Sequence, residues 1–397
     1  MLRQLRALYT SFLLAGLLLL AACTSLSTGG YMPSSFSGAV LPQQPQKIAL
    51  LLPMQGQWSG AANAVRNGFF SAYYADSSSS KAPSVNVYDT TQGNIASVYA
   101  KAVQDGADVV VGPLTKENVQ ALAQSGDLKV PTIALNNIDN PNFHSPRNFF
   151  QYGLSPVDEA TQAAQKAHND GRKNIIVIAP QDAWGQSVKQ AFIQQWQSQG
   201  GTVVTTLDYS PQTNLTKAVG QLLQFSQSKQ PDPKRPGRQL VQTHVRQDFD
   251  SVFLVSSPTT ARLIKPLLLF YYTGSTPVYS ISSVYSGQPA PNRDKDLDGI
   301  LFCDMPWVLE SNGTIDAAKA NAAKLWPNSF YQYTKLYAMG MDAYAIVNNL
   351  NGLSSSTNHT VPGMTGVLWM DNNHVIHRQL DWAQFQNGLP QLTSTAH

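Results

Sequence analysis

One short acidic motif has the spacing of a metal-binding loop. Aspartates alternate in the Asp-x-Asp-x-Asp-Gly motif at 294–299, as at the start of a calcium loop, where carboxylate oxygens surround the ion. The twelfth position of such a loop needs a bidentate glutamate, but Met305 occupies it. An apolar run also follows where a flanking helix would be needed. We therefore expect a solvated turn whose acids pair with Arg293 and Lys295.

The other residues with metal-binding or nucleophilic chemistry do not form a recognisable site. His374 and His377 are three positions apart, so on a strand their side chains point to opposite faces. Cys303 lies in the apolar segment ILFCDMPW, which is typical of a packed thiol rather than a nucleophile. The sequence contains no GxSxG, HExxH, Walker A or GxGxxG pattern. We predict a protein that is not an enzyme and that needs no metal ion or cofactor.

A set of polar and aromatic residues directly follows the predicted strands. The set consists of Gln57, Trp58, Thr115, Asn136, Asp182, Trp184, Ser256 and Ser282. In open parallel sheets, ligands bind beyond the carboxyl ends of the strands, and helix N-termini there can hold a carboxylate. Tryptophan rings can stack on a sugar or another flat ligand. These residues predict a cleft for a small polar ligand or a peptidoglycan fragment.

A second interpretation of the same residues needs no ligand. Thr115 and Ser256 are residue types that commonly cap helices and form turns, so these two side chains could serve the fold alone. Domains with such a cleft beyond the ends of parallel strands also act purely as interaction scaffolds, and their cleft can stay empty. Both interpretations remain open on the sequence.

The elements that must position these residues follow an alternating pattern. Unbroken apolar runs, such as 48–53, predict buried strands, and segments of helical period lie between them. This alternation predicts an α/β fold with parallel sheets and crossover helices, and it occurs in two series. We predict two doubly wound lobes, lobe 1 from 47–154 plus 284–355 and lobe 2 from 155–283 plus 356–397.

Two further segments have distinctive patterns. Residues 366–370 and 374–378 flank an Asp-Asn-Asn turn and predict a β-hairpin. Residues 229–246 contain five Lys or Arg side chains and three prolines, and they interrupt a connection that is normally short. The basic segment is either a mobile, solvated loop or a docking loop for an acidic protein surface or peptidoglycan carboxylates.

The N-terminal residues have the pattern of an export signal. Arg3 and Arg6 form a basic segment, and the uncharged apolar stretch 7–22 follows it. That stretch is short for a membrane-spanning helix, which needs about 20 apolar residues. The sequence LAAC ending at Cys23 resembles the lipobox of bacterial lipoproteins, in which the cysteine thiol takes a diacylglycerol. We predict a signal peptide over 1–22 and lipidation of Cys23.

The residues after the lipobox predict how the protein is attached. Residues 23–46 are rich in Ser, Gly, Pro and Gln and are predicted to form a lipidated, flexible tether. Thr24, rather than Asp, follows the cysteine, and this resembles sorting to the outer membrane. We therefore expect a protein attached to the periplasmic face of the outer membrane through its lipid.

Charge and cysteine content exclude two further classes of protein. Without the two arginines of the signal peptide, 25 Lys or Arg side chains face 24 Asp or Glu side chains. This balance argues against nucleic acid as a partner. After lipidation of Cys23, Cys303 is the single remaining thiol, so no internal disulfide can form.

Particular segments also resemble a known family. The opening IALLLPMQGQWSG with AVRNGFFSAYY resembles type I periplasmic-binding proteins. Further segments resemble the LppC/LpoA family, lipoprotein activators of class A penicillin-binding proteins. They are ADVVVGPLTKENV, FQYGLSP, APQDAWGQ, RQDFDSVFL, ARLIKP, DKDLDGILFCDMPW, LYAMGMDAY and HRQLDWAQF. The resemblance runs from about Lys47 to Gly388 and implies a fold like that of type I periplasmic-binding proteins.

The resemblance also implies a function. It predicts regulation of peptidoglycan synthesis through binding and activating a class A penicillin-binding protein. The best-known family members carry a helical TPR-like domain between the lipid and this domain, whereas here we expect only the tether, which has 23 residues after Cys23. The alternative is a periplasmic solute receptor that binds an amino acid or cell-wall peptide in the interlobe cleft. A receptor needs a closable, polar-lined cleft, and a regulator needs an exposed surface for its partner.

Overall fold

The computed structural model describes residues 45–76, 82–140, 142–271 and 276–393. The predicted signal peptide, Cys23 and all but the last two residues of the predicted tether lie outside the described residues. Within the described ranges, no helix has the combined length and apolar character that crossing a bilayer requires.

The first series of strands and helices forms the parallel part of lobe 1. Its elements are β1 (Lys47–Leu52), α1 (Ser59–Ala75), β2 (Ser84–Asp89), α2 (Ile95–Gln104), β3 (Val109–Val111), α3 (Lys116–Ala123), β4 (Thr132–Ala134) and β5 (Phe149–Tyr152). Strands β3, β4 and β5 are buried along their whole length, because helices cover both faces of the sheet. This explains why their sequences are mostly apolar, with Thr132 and Gln151 as buried polar residues among them.

The second series builds lobe 2. Its elements are α4 (Pro156–Asn169), β6 (Asn174–Pro180), α5 (Ala183–Ser198), β7 (Thr202–Tyr209), α6 (Leu215–Leu222), β8 (Ser226–Pro231), β9 (Gln239–His244), β10 (Ser251–Leu254), α7 (Pro258–Phe270), β11 (Val278–Ser280), α8 (Pro291–Asp294) and β12 (Ile300–Asp304). Strands β7, β6, β10, β11 and β12 pair in parallel in that order. Strands β8 and β9 pair with each other outside both large sheets.

The last part of the chain returns to lobe 1 and then to lobe 2. Its elements are α9 (Pro306–Leu309), α10 (Gly313–Leu325), α11 (Pro327–Phe330), α12 (Thr334–Ser355), β13 (Thr360–Pro362), β14 (Val367–Met370), β15 (Val375–Gln379), β16 (Asp381–Gln386) and β17 (Leu389–Leu392). Helix α12 packs on α1 at Gly68 and Gly340. A Cβ atom at either glycine would lie 2.0 Å from a backbone oxygen of the other helix, so only glycine allows this close approach.

The predicted α/β architecture with two mostly parallel sheets is confirmed. The strand order is β13-β14-β15-β5-β4-β3-β1-β2 in lobe 1 and β17-β16-β12-β11-β10-β6-β7 in lobe 2. The predicted hairpin at 366–378 is also present, since β14 and β15 pair in antiparallel register.

The lobe boundaries differ from the prediction in the second half of the chain. Strand β12, predicted in lobe 1, pairs with β11 of lobe 2. Strands β13, β14 and β15, predicted in lobe 2, belong to the lobe 1 sheet, where β15 pairs in parallel with β5. Lobe 1 therefore contains 47–154 and 334–379, and lobe 2 contains 155–304 and 381–393, with 305–333 as the second connection. The third crossing takes a single residue, Leu380, so no turn sequence marks it.

The interpretation of residues 229–246 as a loop is also corrected. Most of this segment forms the β8–β9 hairpin, with six residue pairs from Ser226 opposite His244 to Pro231 opposite Gln239. Both faces of the hairpin are largely exposed, so its strands lack the apolar alternation that marks a half-buried strand.

Candidate functional site

Two of the predicted cleft residues are helix caps. Thr115 Oγ1 accepts a hydrogen bond from the Asn118 amide at 3.4 Å, at the start of α3. Asp182 Oδ1 accepts one from the Gly185 amide at 2.7 Å, at the start of α5. These side chains therefore satisfy amides that the helices leave without a partner.

Three others are also engaged within the fold. Asn136 Nδ2 donates to the Leu114 carbonyl at 3.1 Å and joins the loops after β3 and β4. Ser256 is fully buried, and its hydroxyl donates to the next carbonyl along the chain at 2.9 Å. The Ser282 amide donates to Glu159 Oε2 at 3.1 Å. Each of these three residues thus makes a hydrogen bond within its own lobe.

The remaining three predicted residues face solvent. Gln57 is exposed, and the side chains of Trp58 and Trp184 are 50% and 39% exposed. Their positions after β1 and β6 agree with the strand-end rule that selected them. A ligand-binding role for the eight residues stays a prediction.

A pocket of about 790 Å³ lies at a different place, beside the second and third crossings. It is lined by residues of α1, α9, α10, α12, β13 and β14 and by the junction of β15 with β16. None of the eight predicted cleft residues lines it. The sequence did not predict this pocket, because helices and strands that are distant in the chain form its wall.

Two carboxyl groups lie side by side in the pocket wall. Burial and the neighbouring Glu310 carboxylate raise the pKa of Asp381 to about 6. Near neutral pH the Asp381 carboxyl is therefore ionised at a cost in repulsion from Glu310, and at lower pH Asp381 takes up a proton. Burial also raises the pKa of Asp342, in the same wall, to about 6, although Thr365 and the Met364 amide donate hydrogen bonds to its carboxylate.

Ion pairs connect the two lobes near the crossings, and we call them the interlobe ion pairs. They are Glu159–Arg378, Asp304–Lys335 and Asp158–His377. In each pair the acid belongs to lobe 2, on α4 or at the end of β12, and the base belongs to lobe 1, on α12 or β15. The pairs therefore attach both α12 and β15, the first and last elements of the segment that returns to lobe 1.

The Glu159–Arg378 pair is the most deeply buried of the three. The exposed fraction is 5% for Glu159 and 3% for Arg378, and Arg378 Nη2 lies 3.4 Å from Glu159 Oε1. The Glu159 carboxylate also accepts the Ser282 amide. Gln162 adds a neutral link, since its Nε2 donates to the Arg378 carbonyl at 2.8 Å and its Oε1 accepts a hydrogen bond from the Leu380 amide at 3.0 Å.

The other two interlobe pairs have shifted pKa values. Burial raises the pKa of Asp304, while the Lys335 ammonium at 2.8 Å opposes the shift. Burial disfavours the charged form of His377, but hydrogen bonds to Asp158 (2.9 Å) and Asp371 (3.3 Å) outweigh it and raise the pKa to about 9. His377 is therefore a cation at neutral pH.

An apolar cluster also spans both lobes. It joins Ala64 of α1 and Tyr337 of α12 to Trp196 of α5 and Trp307 of α9, all nearly or fully buried. Together with the interlobe ion pairs, this cluster makes the junction between the lobes a continuous part of the core.

Sequence reasoning missed the charged residues of the junction, although a signal was present. Glu159 is on the same buried stripe of α4 as Ala163 and Ala167, four and eight positions later. Arg378 shares the buried face of β15 with Ile376, two positions earlier. A charge on an otherwise apolar face indicates a buried ion pair, since an unpaired charge there would be costly.

The acidic motif serves the fold. Asp294 is 1% exposed and accepts a hydrogen bond from Arg262 Nε at 3.0 Å, so the expected pairing with Arg293 or Lys295 is wrong for this residue. Asp298 accepts amides of the β16–β17 turn. Across the residues that the structure describes, no three His, Cys, Asp or Glu side chains gather closely enough to hold a metal ion.

The interpretation of Cys303 as a packed thiol is confirmed. The residue is fully buried in β12, within the apolar cluster that spans the lobes. Burial raises the pKa of its thiol well above the usual range. The thiol is therefore protonated at neutral pH, and this form is a poor nucleophile.

Comparison with known proteins gives sequence relatives over most of the chain. The family model described as "LppC putative lipoprotein" matches residues 31–388. A penicillin-binding protein activator LpoA from Photobacterium profundum is 30% identical over 362 residues, which cover 89% of this chain and 58% of that protein. The LpoA of Yersinia pseudotuberculosis is 27% identical and covers 93% of this chain and 63% of that protein. The chain spans less than two thirds of the length of these relatives.

Two kinds of solved structure share this fold, a regulator of a penicillin-binding protein and proteins described as ABC transporters. The C-domain of LpoA (YraM) from Haemophilus influenzae, a regulator of PBP1A, has a TM-score of 0.70 and 28% identity, covering 87% of this chain and 99% of that domain. A structure from Chromobacterium violaceum, described as "a putative branched-chain amino acid ABC transporter", has a TM-score of 0.64 and 28% identity, covering 85% of this chain and 99% of that chain. The predicted likeness to periplasmic-binding proteins is confirmed at the level of the fold.

Proposed function

Because the chain belongs to the LppC family of lipoproteins, we propose that it regulates peptidoglycan synthesis by binding and activating a class A penicillin-binding protein. The observation that carries the proposal is the match to the LpoA C-domain of Haemophilus influenzae, a regulator of PBP1A, over 99% of that domain. In this role the chain makes contact with the synthase and performs no chemical step itself.

The junction between the lobes supports a scaffold role. A large opening of the lobes would separate the buried Glu159 and Arg378 charges and expose the apolar cluster that spans the junction. Leaving a buried charge without its partner costs about 3–5 kcal/mol. A solute receptor that closes on an amino acid or a cell-wall peptide is therefore the weaker alternative, supported by the likeness to the Chromobacterium violaceum protein.

We also propose an envelope location. The chain would be acylated at Cys23 and attached to the periplasmic face of the outer membrane, as the sequence LAAC followed by Thr24 indicates. Replacement of Cys23 by serine should move the protein from the outer-membrane fraction to the soluble periplasmic fraction. Retention of this variant in the outer-membrane fraction would contradict a lipid anchor at this position.

The regulatory proposal is tested with purified components. The full-length chain in detergent is added to a class A penicillin-binding protein of the same organism, together with a lipid-linked peptidoglycan precursor. We expect the rate of glycan polymerisation or of peptide cross-linking to rise until the synthase is saturated. The Cys23→Ser variant should activate equally in detergent, because activation needs contact and not the anchor. Unchanged rates with a folded chain would contradict the proposal.

A ligand screen separates the regulator from the receptor. The melting temperature of the full-length chain is measured with amino acids and with soluble peptidoglycan fragments. A ligand that binds only the folded state raises the melting temperature. A shift with one of these ligands, combined with no effect on the synthase, would favour the receptor.

A further inference from the structure

The β8–β9 hairpin projects from lobe 2 as a separate element. Its strands pair only with each other among the described parts of the chain, and ten of their twelve residues are exposed. An isolated two-stranded hairpin is marginally stable in water. Since each strand pairs only with the other among the described residues, both outer edges of the hairpin keep free backbone groups, to which a partner could add a strand.

The turn of the hairpin is ordered and basic. The Asp232 amide donates to the Arg238 carbonyl at 2.8 Å, and the Arg235 amide donates to the Asp232 carbonyl at 3.2 Å. The Lys234 amide donates to Asp232 Oδ1 at 2.8 Å. These bonds hold three cationic side chains together at the tip. Within the described ranges, none of these three side chains forms an ion pair, and neither does Lys229 on β8.

The net charge of the whole chain is concentrated in this hairpin. Residues 226–244 contain four Lys or Arg side chains and one Asp, which gives +3. The formal net charge of the entire chain is also +3, from 27 basic and 24 acidic side chains. The rest of the sequence therefore contains 23 side chains of each sign, and without Arg3 and Arg6 of the predicted signal peptide it contains 21 basic and 23 acidic side chains. Such segregation of charge directs an element toward a surface of opposite sign.

We propose that the hairpin is the element that docks on an acidic surface of the class A penicillin-binding protein, an inference that rests on the function proposed above. A protein surface fits better than a lipid surface for two reasons. Leu240 and Val241, 44% and 55% exposed, add apolar contact area next to the basic tip, as in protein interfaces. The recognition of anionic lipid typically uses about 4–8 clustered cations, and this tip has three.

The test compares two charge-reversal variants of the full-length chain. The first carries Lys234→Glu, Arg235→Glu and Arg238→Glu at the tip of the hairpin. The matched control carries Lys129→Glu, Lys173→Glu and Lys324→Glu, three exposed lysines elsewhere, so both variants change the net charge equally. The dissociation constant for the purified synthase is measured at low and at physiological salt, and the melting temperature verifies that each variant is folded.

We expect the tip variant to bind the synthase at least about tenfold more weakly at low salt, because steering and the charge contacts are lost. The control should bind within about twofold of the unmodified chain. The affinity of the unmodified chain should fall as salt increases, and that of the tip variant should change much less. These results would support the hairpin as the docking element.

Three other results would overturn the inference. Equal binding by the tip variant and the unmodified chain would show that the synthase docks elsewhere, while the proposed function would stand. Absence of synthase binding by the unmodified chain would remove both proposals. Loss of binding to anionic vesicles or peptidoglycan sacculi by the tip variant, with unchanged synthase binding, would assign the hairpin to the envelope instead.

Discussion

The interlobe ion pairs and the β8–β9 hairpin hold their charges in opposite ways. At the junction each base is paired with an acid from the other lobe, and the Glu159–Arg378 pair is nearly inaccessible to solvent. On the hairpin, cations cluster in solvent without ion pairs among the described residues. Charges that are buried and paired fix the geometry of a fold, whereas exposed charges of one sign remain available to a partner.

The comparison makes a clear expectation for mutagenesis. Substitutions at the junction should change the free energy of unfolding and should affect binding of the synthase only through that loss of stability. Substitutions on the hairpin should change recognition and leave the free energy of unfolding nearly constant. Four predictions test this contrast, beginning with the largest expected effect on stability.

Removal of Glu159 should have the largest effect. The Glu159→Leu variant leaves the buried Arg378 guanidinium without its acid, which should lower the free energy of unfolding by about 3–5 kcal/mol. The measurement is chemical denaturation at neutral pH. The double variant Glu159→Leu with Arg378→Met should recover much of the loss, since it removes both charges. If the free energy of unfolding of the single variant Glu159→Leu lies within about 1 kcal/mol of that of the unmodified chain, the buried Arg378 charge does not need Glu159 as its partner.

His377 should make stability depend on pH. Its pKa in the folded protein, about 9, lies above the ordinary value of 6.5, so the folded state holds a proton that the unfolded state has lost. The stabilisation is therefore complete below pH 6.5 and disappears as pH rises through about 9. We expect a loss of about 2 kcal/mol over this range that the His377→Gln variant does not show.

The difference between the two unfolding profiles isolates His377 from lysines and tyrosines that titrate at high pH in both proteins. Parallel profiles between pH 6 and 10 would mean that Asp158 and Asp371 do not hold His377 in its charged form.

Asp381 differs from His377 because the folded state disfavours its charged form. Burial and Glu310 raise its pKa to about 6, so its ionisation destabilises the folded state as pH rises through that value. The Asp381→Asn variant should therefore be more stable than the unmodified chain at pH 7.5, by about 1 kcal/mol because the site is partly solvated. At pH 4 the two should be similar. Asp296→Asn, at an exposed position, is the control and should show no such gain.

The smallest effect is expected on the hairpin. The triple variant Lys234→Glu, Arg235→Glu and Arg238→Glu should change the free energy of unfolding by no more than about 0.5 kcal/mol, as is usual for exposed substitutions. Denaturation of this variant and of the lysine control under the same conditions is the measurement. A larger loss for the tip variant alone would mean that the basic turn contributes to the fold, and the contrast with the junction would weaken.

The strands of both parallel series could be predicted from the sequence to within a few residues. Unbroken apolar runs such as 175–179 mark strands with helices on both faces, and this pattern has few alternatives. The third crossing at Leu380 could not be predicted, because β15 continues into β16 without a turn residue. The β8–β9 hairpin was missed for a different reason, since neither of its faces is packed on the body.

The candidate site was harder to predict than the fold. The rule for strand ends selected residues that do follow strands in the structure. It could not distinguish a ligand contact from the helix cap that Thr115 or Asp182 provides. The junction charges depend on partners far along the chain, such as Glu159 and Arg378, whose proximity follows only from the crossings of the folded chain.

The concentration of net charge at 226–244 has a physical consequence for the isolated molecule. A body whose charges are nearly balanced and that carries +3 on one projecting arm has its centre of charge displaced from its centre of mass. The molecule therefore has a permanent electric dipole, and an approaching negative surface exerts a torque on it. This torque acts within about 8 Å of the surface at physiological salt, the distance over which mobile ions screen the field. Rotational diffusion is then biased, so that the arm leads the encounter.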